Sequence, residues 1–327
     1  MAGKVRILVA GAGRFGREHL RTLAAMESVA LVGVADVDEK AARDAAGRYG
    51  AAAWDRDAAA LIDRLRPDGV VVATPGVTHV ALATRALAAG ASLLVEKPVA
   101  ATAADAAALA EAAAKGPGFV LPGHILRFSG PHRTLVDIVR SGEIGEVLTV
   151  VARRHRDDSH AARYADDPVL MTMIHDIDLA IWITDAAATG VHALRALAGE
   201  VRSSSMMMAR DSKGSTWHLS TAWTYPGMET PPDRLEVVGT QGGVELEIGV
   251  ALRQYGAKPQ TIDLRVAPDD MLAVELSHFV DCIRSGERSS IVTMRDACRG
   301  LDAAEAALRS LQTGEVVRPG TSGKTGA

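Results

Sequence analysis

The sequence predicts an α/β protein: a doubly wound parallel sheet in the N-terminal part, then an α+β domain on a largely antiparallel open sheet. Three observations predict this. Over the first 123 residues, continuous apolar runs of strand length alternate with Ala-, Leu- and charge-rich stretches of helical length. A glycine-rich turn follows the first of those runs, and beyond 123 the rhythm changes to short alternating segments separated by Gly, Pro and Ser.

The apolar runs are VRILVA at 5–10, ALVGVADV at 30–37, GVVVAT at 69–74 and SLLVEK at 92–97. They are continuous rather than alternating, which marks parallel strands buried on both faces. Helices are expected at 14–26, 38–48, 56–65, 77–89 and 102–114, where Ala, the best helix former, is abundant. Further on, a helix at 131–141, a strand at 146–156 and a helix at 169–184 precede alternating segments at 191–200, 215–225, 234–238, 243–248 and 261–266. Along 215–225 the strand period places Trp217, Leu219, Thr221 and Trp223 on one face and Thr216, His218, Ser220 and Ala222 on the other. Met206-Met207-Met208 reads as irregular core filling. Two helices near 270–285 and 294–312 close the fold. The expected organisation is therefore a domain at 1–123, a second at 124–317 and a flexible polar tail at 318–327.

Composition narrows the function. The 327 residues carry 36 Lys+Arg against 40 Asp+Glu, a formal charge of −4, so there is no field to gather nucleic acid or anionic membrane. Hydrophobic content of 48% and charged content of 23% are globular values, which excludes a disordered, collagen-like or coiled-coil chain. Cys282 and Cys298, the two cysteines, make neither a disulfide framework nor a zinc knuckle, and both read as buried helix residues. No apolar stretch approaches the ~20 residues a bilayer crossing needs. The N-terminus lacks a signal-peptide pattern and the chain contains no Asn to glycosylate, so a cytoplasmic location is expected.

The first chemical constellation is Gly11-Ala12-Gly13-Arg14-Phe15-Gly16, directly after a strand and opening a helix. Gly11 permits the tight turn, Gly13 lets backbone approach a pyrophosphate, and Gly16 lets helix and strand pack closely. Asp36, twenty residues beyond Gly16 at the end of the second strand, would accept hydrogen bonds from the adenosine ribose hydroxyls. This is the Rossmann fingerprint, with NAD favoured; Arg14 and Lys40 stand close enough in sequence to admit NADP. The second constellation lies at the carboxyl ends of the strands at 69–74 and 92–97, where open α/β sheets bind ligands: Thr74-Pro75-Gly76-Val77-Thr78-His79 and Glu96-Lys97-Pro98. Lys97 there can serve as a hydrogen donor or proton carrier. His79 either lines the site or caps local backbone, and the same choice stands for His124.

On the helix at 169–184, Met171, His175, Asp178 and Trp182 follow i, i+4, i+7, i+11 spacing and share one face. Asp176 diverges from His175 by about 100°, so no metal site is expected from the pair. The run Arg153-Arg154-His155-Arg156 ends a strand, so its members alternate between faces; most are expected to be solvated charge, with Arg153 and His155 the pair that could meet an anionic substrate.

These residues together resemble the glucose-fructose oxidoreductase, inositol dehydrogenase and rhizopine catabolism (Gfo/Idh/MocA) family. The resemblance runs from the glycine fingerprint and Asp36 through Thr74-Pro75, Glu96-Lys97-Pro98, Gly123-His124 and Arg127-Phe128. It continues over His175-Asp176-Ile177-Asp178-Leu179 to Glu236-Val237-Val238-Gly239-Thr240 and the helix carrying His278-Phe279. It implies reversible NAD(P)-dependent oxidation of a secondary alcohol on a sugar, cyclitol or nucleotide-sugar, with Lys97 and His175 bracketing the reacting carbinol. Arg127, Asp178, His124, Arg153 and His155 would position the substrate. Gly11, Gly13, Arg14, Phe15, Gly16, Asp36, Thr74, Pro75, His79, Glu96 and Lys97 would hold the cofactor. The resemblance also implies a homodimer or tetramer formed through the second sheet. Three positions depart from the family pattern: Met171 replaces an acidic residue one turn before His175, Met173 a glycine, and Gly76 the Asn after Thr-Pro. Two alternatives stay open at this point, a dinucleotide-binding sensor that has lost turnover and a reductase of an imine or enol-type double bond.

Overall fold

The computed structural model describes residues 3–163, 167–199, 202–227, 229–265 and 270–320. The chain forms two compact units, Met1–Phe128 with Asp270–Cys298, and Ser129–Asp269 with Arg299–Ala327.

In the first unit, β1 (Val5–Ala10), α1 (Arg14–Ala24), β2 (Val29–Ala35), α2 (Glu39–Tyr49), β3 (Trp54–Asp55), α3 (Ala58–Leu65), β4 (Gly69–Val72), α4 (His79–Ala88), β5 (Ser92–Glu96), α5 (Ala103–Ala114) and β6 (Val120–Gly123) alternate. The six strands make one parallel sheet in the order β3-β2-β1-β4-β5-β6. Every residue of β4 and β5 is buried, as unbroken Val- and Leu-rich runs require when helices cover both faces. Asp38 and Asp57 cap α2 and α3 by accepting from two amides each. β3 and β6 are absent from the sequence expectation. Each is an edge strand of two to four residues, and β6 contains Pro122, which only an edge tolerates.

The second unit runs α6 (Gly130–Arg140), β7 (Val147–Asp157), α7 (Ser159–Arg163), α8 (Ile174–Thr184), β8 (Ala188–Ala198), β9 (Arg202–Asp211), β10 (Thr216–Tyr225), β11 (Arg234–Gly239), β12 (Gly242–Glu247), β13 (Ala251–Gly256) and β14 (Gln260–Asp263). Its eight-stranded sheet has the order β14-β13-β12-β11-β7-β10-β9-β8, antiparallel except where β10 runs parallel to β7. α6 and α8 pack on one face. Trp217, Leu219, Thr221 and Trp223 point to that side and are buried, while His218 on the other side is exposed, so the alternation along β10 holds. Met206–Met208 belong to β9 rather than to irregular filling: Met207 is buried and its neighbours Met206 and Met208 stand on the far face. β13 was also missing from the expectation. Residue 266 of the last expected strand and residues 321–327 of the expected tail lie outside the described residues.

The closing helices are α9 (Met271–Ser285) and α10 (Met294–Thr313). The sequence reading assigns residues 270–298 to the second domain, but Leu272, Leu276, Phe279 and Val280 of α9 complete the first unit's core with Ile7, Val9, Leu20 and Leu23. Cys282 is buried in α9, and Cys298 in α10 is half-buried rather than buried; neither is placed in a disulfide.

Candidate active site

In the first unit the glycine loop has the shape its residue types dictate. Gly11 sits at φ +104°, and a Cβ there would lie 2.4 Å from the Ala73 carbonyl oxygen. A Cβ on Gly16 would come within 2.0 Å of the Gly11 oxygen, so α1 closes on the loop only because both side chains are missing. Gly13 is the opposite case: a Cβ there meets nothing within 4 Å. Gly13 also caps α1 without a side-chain bond, and no acidic residue stands in the first turn. The positive end of α1 and its free amides thus face open space, which fits a pyrophosphate. Arg14 and Phe15 flank this opening and are exposed.

Asp36 follows β2, its Oδ2 accepting from the Ala12 amide at 2.7 Å and its Oδ1 from the Asp38 amide at 2.9 Å. Each oxygen retains a second lone pair for a ribose hydroxyl. The Lys40 ammonium is bonded to Asp44 at 2.7 Å on its own helix, which draws it away from a 2′-phosphate. Together these residues fit a dinucleotide whose ribose carries a 2′-hydroxyl.

At the ends of β4 and β5, Thr74 Oγ1 lies 2.7 Å from Thr78 Oγ1, and Thr78 Oγ1 donates to the Pro75 carbonyl at 2.8 Å. The His79 ring lies between two backbone carbonyls, Nδ1 at 2.9 Å from Pro98 O and Nε2 at 2.8 Å from Thr74 O. Both ring nitrogens face main-chain carbonyls, and whichever carries the proton donates to one of them, so His79 is turned to the two loops instead of offering a nitrogen to a ligand. Glu96 Oε1 lies 2.7 Å from His19 Nε2, and Glu96 Oε2 accepts from the Lys97 amide at 3.3 Å. Lys97 is half-buried and precedes a cis bond to Pro98. A Cβ on Gly76 would make only ordinary contact with Pro98, and nothing in the structure requires glycine there. His124 is buried beyond β6, and Arg127 is buried in the turn Ile125–Phe128, where its Nη1 donates to Ile291 O at 3.0 Å and Asp296 Oδ2 at 3.3 Å. Those bonds make Arg127 an internal tie between this turn and the start of α10.

In the second unit a π-helical turn, Val169–Met173, leads into α8, with the Ile174 amide donating to Val169 O five residues back. Such turns recur at functional sites. Met171, His175 and Trp182 are half-buried and mark the open face of this helix, while Asp178 is buried. Asp176 points elsewhere, onto β7. The Arg154 guanidinium grips it from Nε at 3.2 and 3.3 Å and from Nη2 at 2.9 Å, and also bonds Asp233 through Nη1. Arg156 holds the same Asp233 at 2.7 and 2.9 Å. Burial acts against the Arg154 charge, but Asp176 and Asp233 outweigh it and raise its pKa; the paired arginines hold Asp233 below the usual carboxylate value despite its burial. Arg154 is therefore not the solvated charge the sequence suggests.

Arg153 and His155 occupy the alternate positions of β7, on the face away from Arg154. His155 Nδ1 lies 3.5 Å from the Tyr225 hydroxyl, and burial followed by the Arg153 charge depresses its pKa. Arg153 Nε is buried with no hydrogen-bond partner among the described residues. Sequence reasoning missed His19, Glu275 and the Arg154–Asp176–Asp233 group. His19 and Glu275 each occupy an i+3 place in an otherwise apolar stripe, Gly16-His19-Leu20-Leu23 and Leu272-Glu275-Leu276-Phe279, and that mismatch was the available signal.

Among the described residues, no group of three His, Cys, Asp or Glu side chains is placed to hold a metal ion, and no helix is long and apolar enough to cross a membrane. Residues 5–124 match the profile of an oxidoreductase family with an NAD-binding Rossmann fold, Gfo/Idh/MocA, and residues 132–245 match the C-terminal domain of the same family. The sequence is 30% identical over 329 aligned positions to inositol 2-dehydrogenase 1 of Saccharopolyspora erythraea, covering 96% of each chain. The fold matches scyllo-inositol dehydrogenase from Lactobacillus casei, solved with NAD(H) and scyllo-inositol, at a TM-score of 0.85 and 19% identity, over 96% of this chain and 99% of that one. It also matches a UDP-N-acetylglucosamine 3-dehydrogenase from Acidithiobacillus ferrooxidans at 0.83 and 25% identity, over 95% and 99%.

Proposed function

Since the chain belongs to the Gfo/Idh/MocA family of NAD-binding oxidoreductases, we propose that its substrate is an inositol-type cyclitol, one of whose secondary alcohols it converts reversibly to the ketone. The end-to-end likeness to an inositol 2-dehydrogenase carries this reading. NAD, when bound, accepts the hydride. Lys97 donates a hydrogen bond to the substrate oxygen, and His175 takes the hydroxyl proton on oxidation and returns it on reduction. Asp178 and His124 orient the ring hydroxyls. Arg127 braces the turn Ile125–Phe128, and Arg153 and His155, together on the far face of β7, serve that face. Met171 supplies no carboxylate, so His175 carries the proton without the relay the family pattern provides at that position.

The far face of the second sheet supports a further part of the proposal. Leu194 and Met206, paired across β8 and β9, are 53% and 51% exposed, and Met208 beside them is 47% exposed. A second copy of the chain covering this strip face to face would bury it, giving a homodimer or a tetramer of dimers. A cytoplasmic location fits two cysteines that are not placed in a disulfide.

The direct test is a panel of inositols, sugars, uronates and nucleotide-sugars incubated with NAD, read by formation of reduced nicotinamide. Turnover of inositols over the rest supports the reading. Turnover confined to nucleotide-sugars would move the substrate class, and NAD binding with no hydride exchange across the panel would favour the sensor alternative.

A further inference from the structure

Behind Lys97 the first unit buries three titratable side chains that the reaction does not use. His19 comes from α1, Glu96 from the last position of β5, and Glu275 from α9. Glu275 is 0% exposed, and neither of its carboxyl oxygens has a hydrogen-bond partner among the described residues. An ionised carboxylate so placed would be among the costliest groups a protein can bury. Burial, and then Glu96, push its pKa well above the ordinary value. Glu96 makes two contacts, with His19 Nε2 and the Lys97 amide. His19 turns Nε2 to this carboxylate, while its buried Nδ1 has no hydrogen-bond partner among the described residues. On its other side the His19 ring meets Phe15 edge to face, with centroids 5.0 Å apart, and Phe15 is exposed beside the glycine loop. Gly123 closes over the same carboxyl: a Cβ there would lie 3.1 Å from Glu96 Cα and 3.3 Å from its carboxyl carbon.

A continuous path of contacts therefore runs from Phe15 at the dinucleotide loop through His19 and Glu96 to the Lys97 backbone. We propose that His19, Glu96 and Glu275 form a buried positioning unit that sets where Lys97 lies and ties that placement to the dinucleotide loop. His19 is the tie, Glu96 the grip on Lys97, and Glu275 the buried, unpartnered carboxyl whose ionisation its surroundings oppose. Two ionised carboxylates here would repel, and one would displace Glu96 from its contacts. The inference rests on the reading of Lys97 as the donor to the substrate oxygen, but its test needs no substrate.

The full-length protein is treated with a small amine-acylating reagent, and the rate at Lys97 is followed by peptide mass spectrometry, with exposed Lys40 and Lys258 as internal standards. His19→Leu should change the Lys97 rate at least ~5-fold relative to those standards, the scale of one lost hydrogen bond to a charged group. His19→Gln, whose side-chain amide can donate from the place of Nε2, should stay within about 2-fold of the parent. Unchanged labelling in His19→Leu, or an equal change in both variants, would overturn the proposal. Infrared difference spectra against Glu275→Gln give a second reading at neutral pH: the carbonyl stretch of an un-ionised carboxyl should be present in the parent and lost in the variant. Its absence from the parent would equally overturn the proposal, whatever the enzyme proves to oxidise.

Discussion

Arg154 and Asp176 hold each other through three nitrogen–oxygen contacts of 2.9 to 3.3 Å, and Asp176 is the residue directly after His175. Because neighbours on a helix point about 100° apart, fixing Asp176 to β7 fixes the direction of His175 as well. Removing one partner of a buried pair leaves the other uncompensated, so Arg154→Met should cost about 3–5 kcal/mol in chemical denaturation. The double variant Arg154→Met with Asp176→Leu should recover part of that loss. A single-variant cost under ~1 kcal/mol would show that the pair does not hold α8.

His132, buried on α6 beside Ser129, predicts acid sensitivity. Burial first, and then the Arg154 charge, lower its pKa from 6.5 to about 3. The folded state thus refuses a proton that the unfolded chain accepts, so this stability is complete above pH ~6.5 and is lost as pH falls from there toward 3. The full difference is on the order of 4–5 kcal/mol. His132→Gln should flatten the dependence of the melting temperature on pH between about 6 and 4; an unchanged slope would assign the acid loss to other groups.

Asp36 is expected to set the cofactor preference. A 2′-phosphate would meet its carboxylate, and Lys40, bonded to Asp44, is drawn away from offsetting that charge. Discrimination of about 1–3 kcal/mol is expected, so NAD should bind roughly 5- to 150-fold more tightly than NADP. In Asp36→Ala that ratio should fall at least ~10-fold. Equal dissociation constants in the parent would contradict the assignment.

The exposed strip Leu194, Met206 and Met208 predicts assembly through the second sheet. A stable isologous interface there should bury more than ~1,600 Å² in total. Sedimentation at micromolar concentration should return a multiple of 34.2 kDa, and Leu194→Glu with Met206→Glu should return the single-chain mass. A parent that sediments as one chain would mean the strip stands in water alone.

Much of this was legible from the residues. Strands buried on both faces read as continuous Val and Leu runs, and the glycine loop declares itself because only Gly fits at 11 and 16. The strand β9 was not legible, since Ser-Ser-Ser-Met-Met-Met hides its alternation behind residues of like polarity. Nor was the return of α9 to the first unit, which depends on packing against Ile7 and Leu23 some 250 positions away and leaves no local mark. The Arg153–Arg156 run shows why charge is a poor guide to exposure: the partners that bury Arg154 lie 22 and 79 residues further along. At the candidate site, Lys97 and His175 stand out by motif, whereas Glu275 and His19 show only as polar residues breaking an apolar stripe.

Hydride transfer from a ring carbinol to NAD, with Lys97 and His175 as the acting side chains, can be followed by isotope. The most direct measurement supplies myo-inositol deuterated at C2 together with NAD and reads deuterium in the reduced nicotinamide by mass spectrometry. One deuterium per reduced cofactor is expected in the parent, with a rate at least ~100-fold lower in Lys97→Ala and in His175→Ala. Reduced cofactor without deuterium, or near-parental rates in both variants, would contradict it.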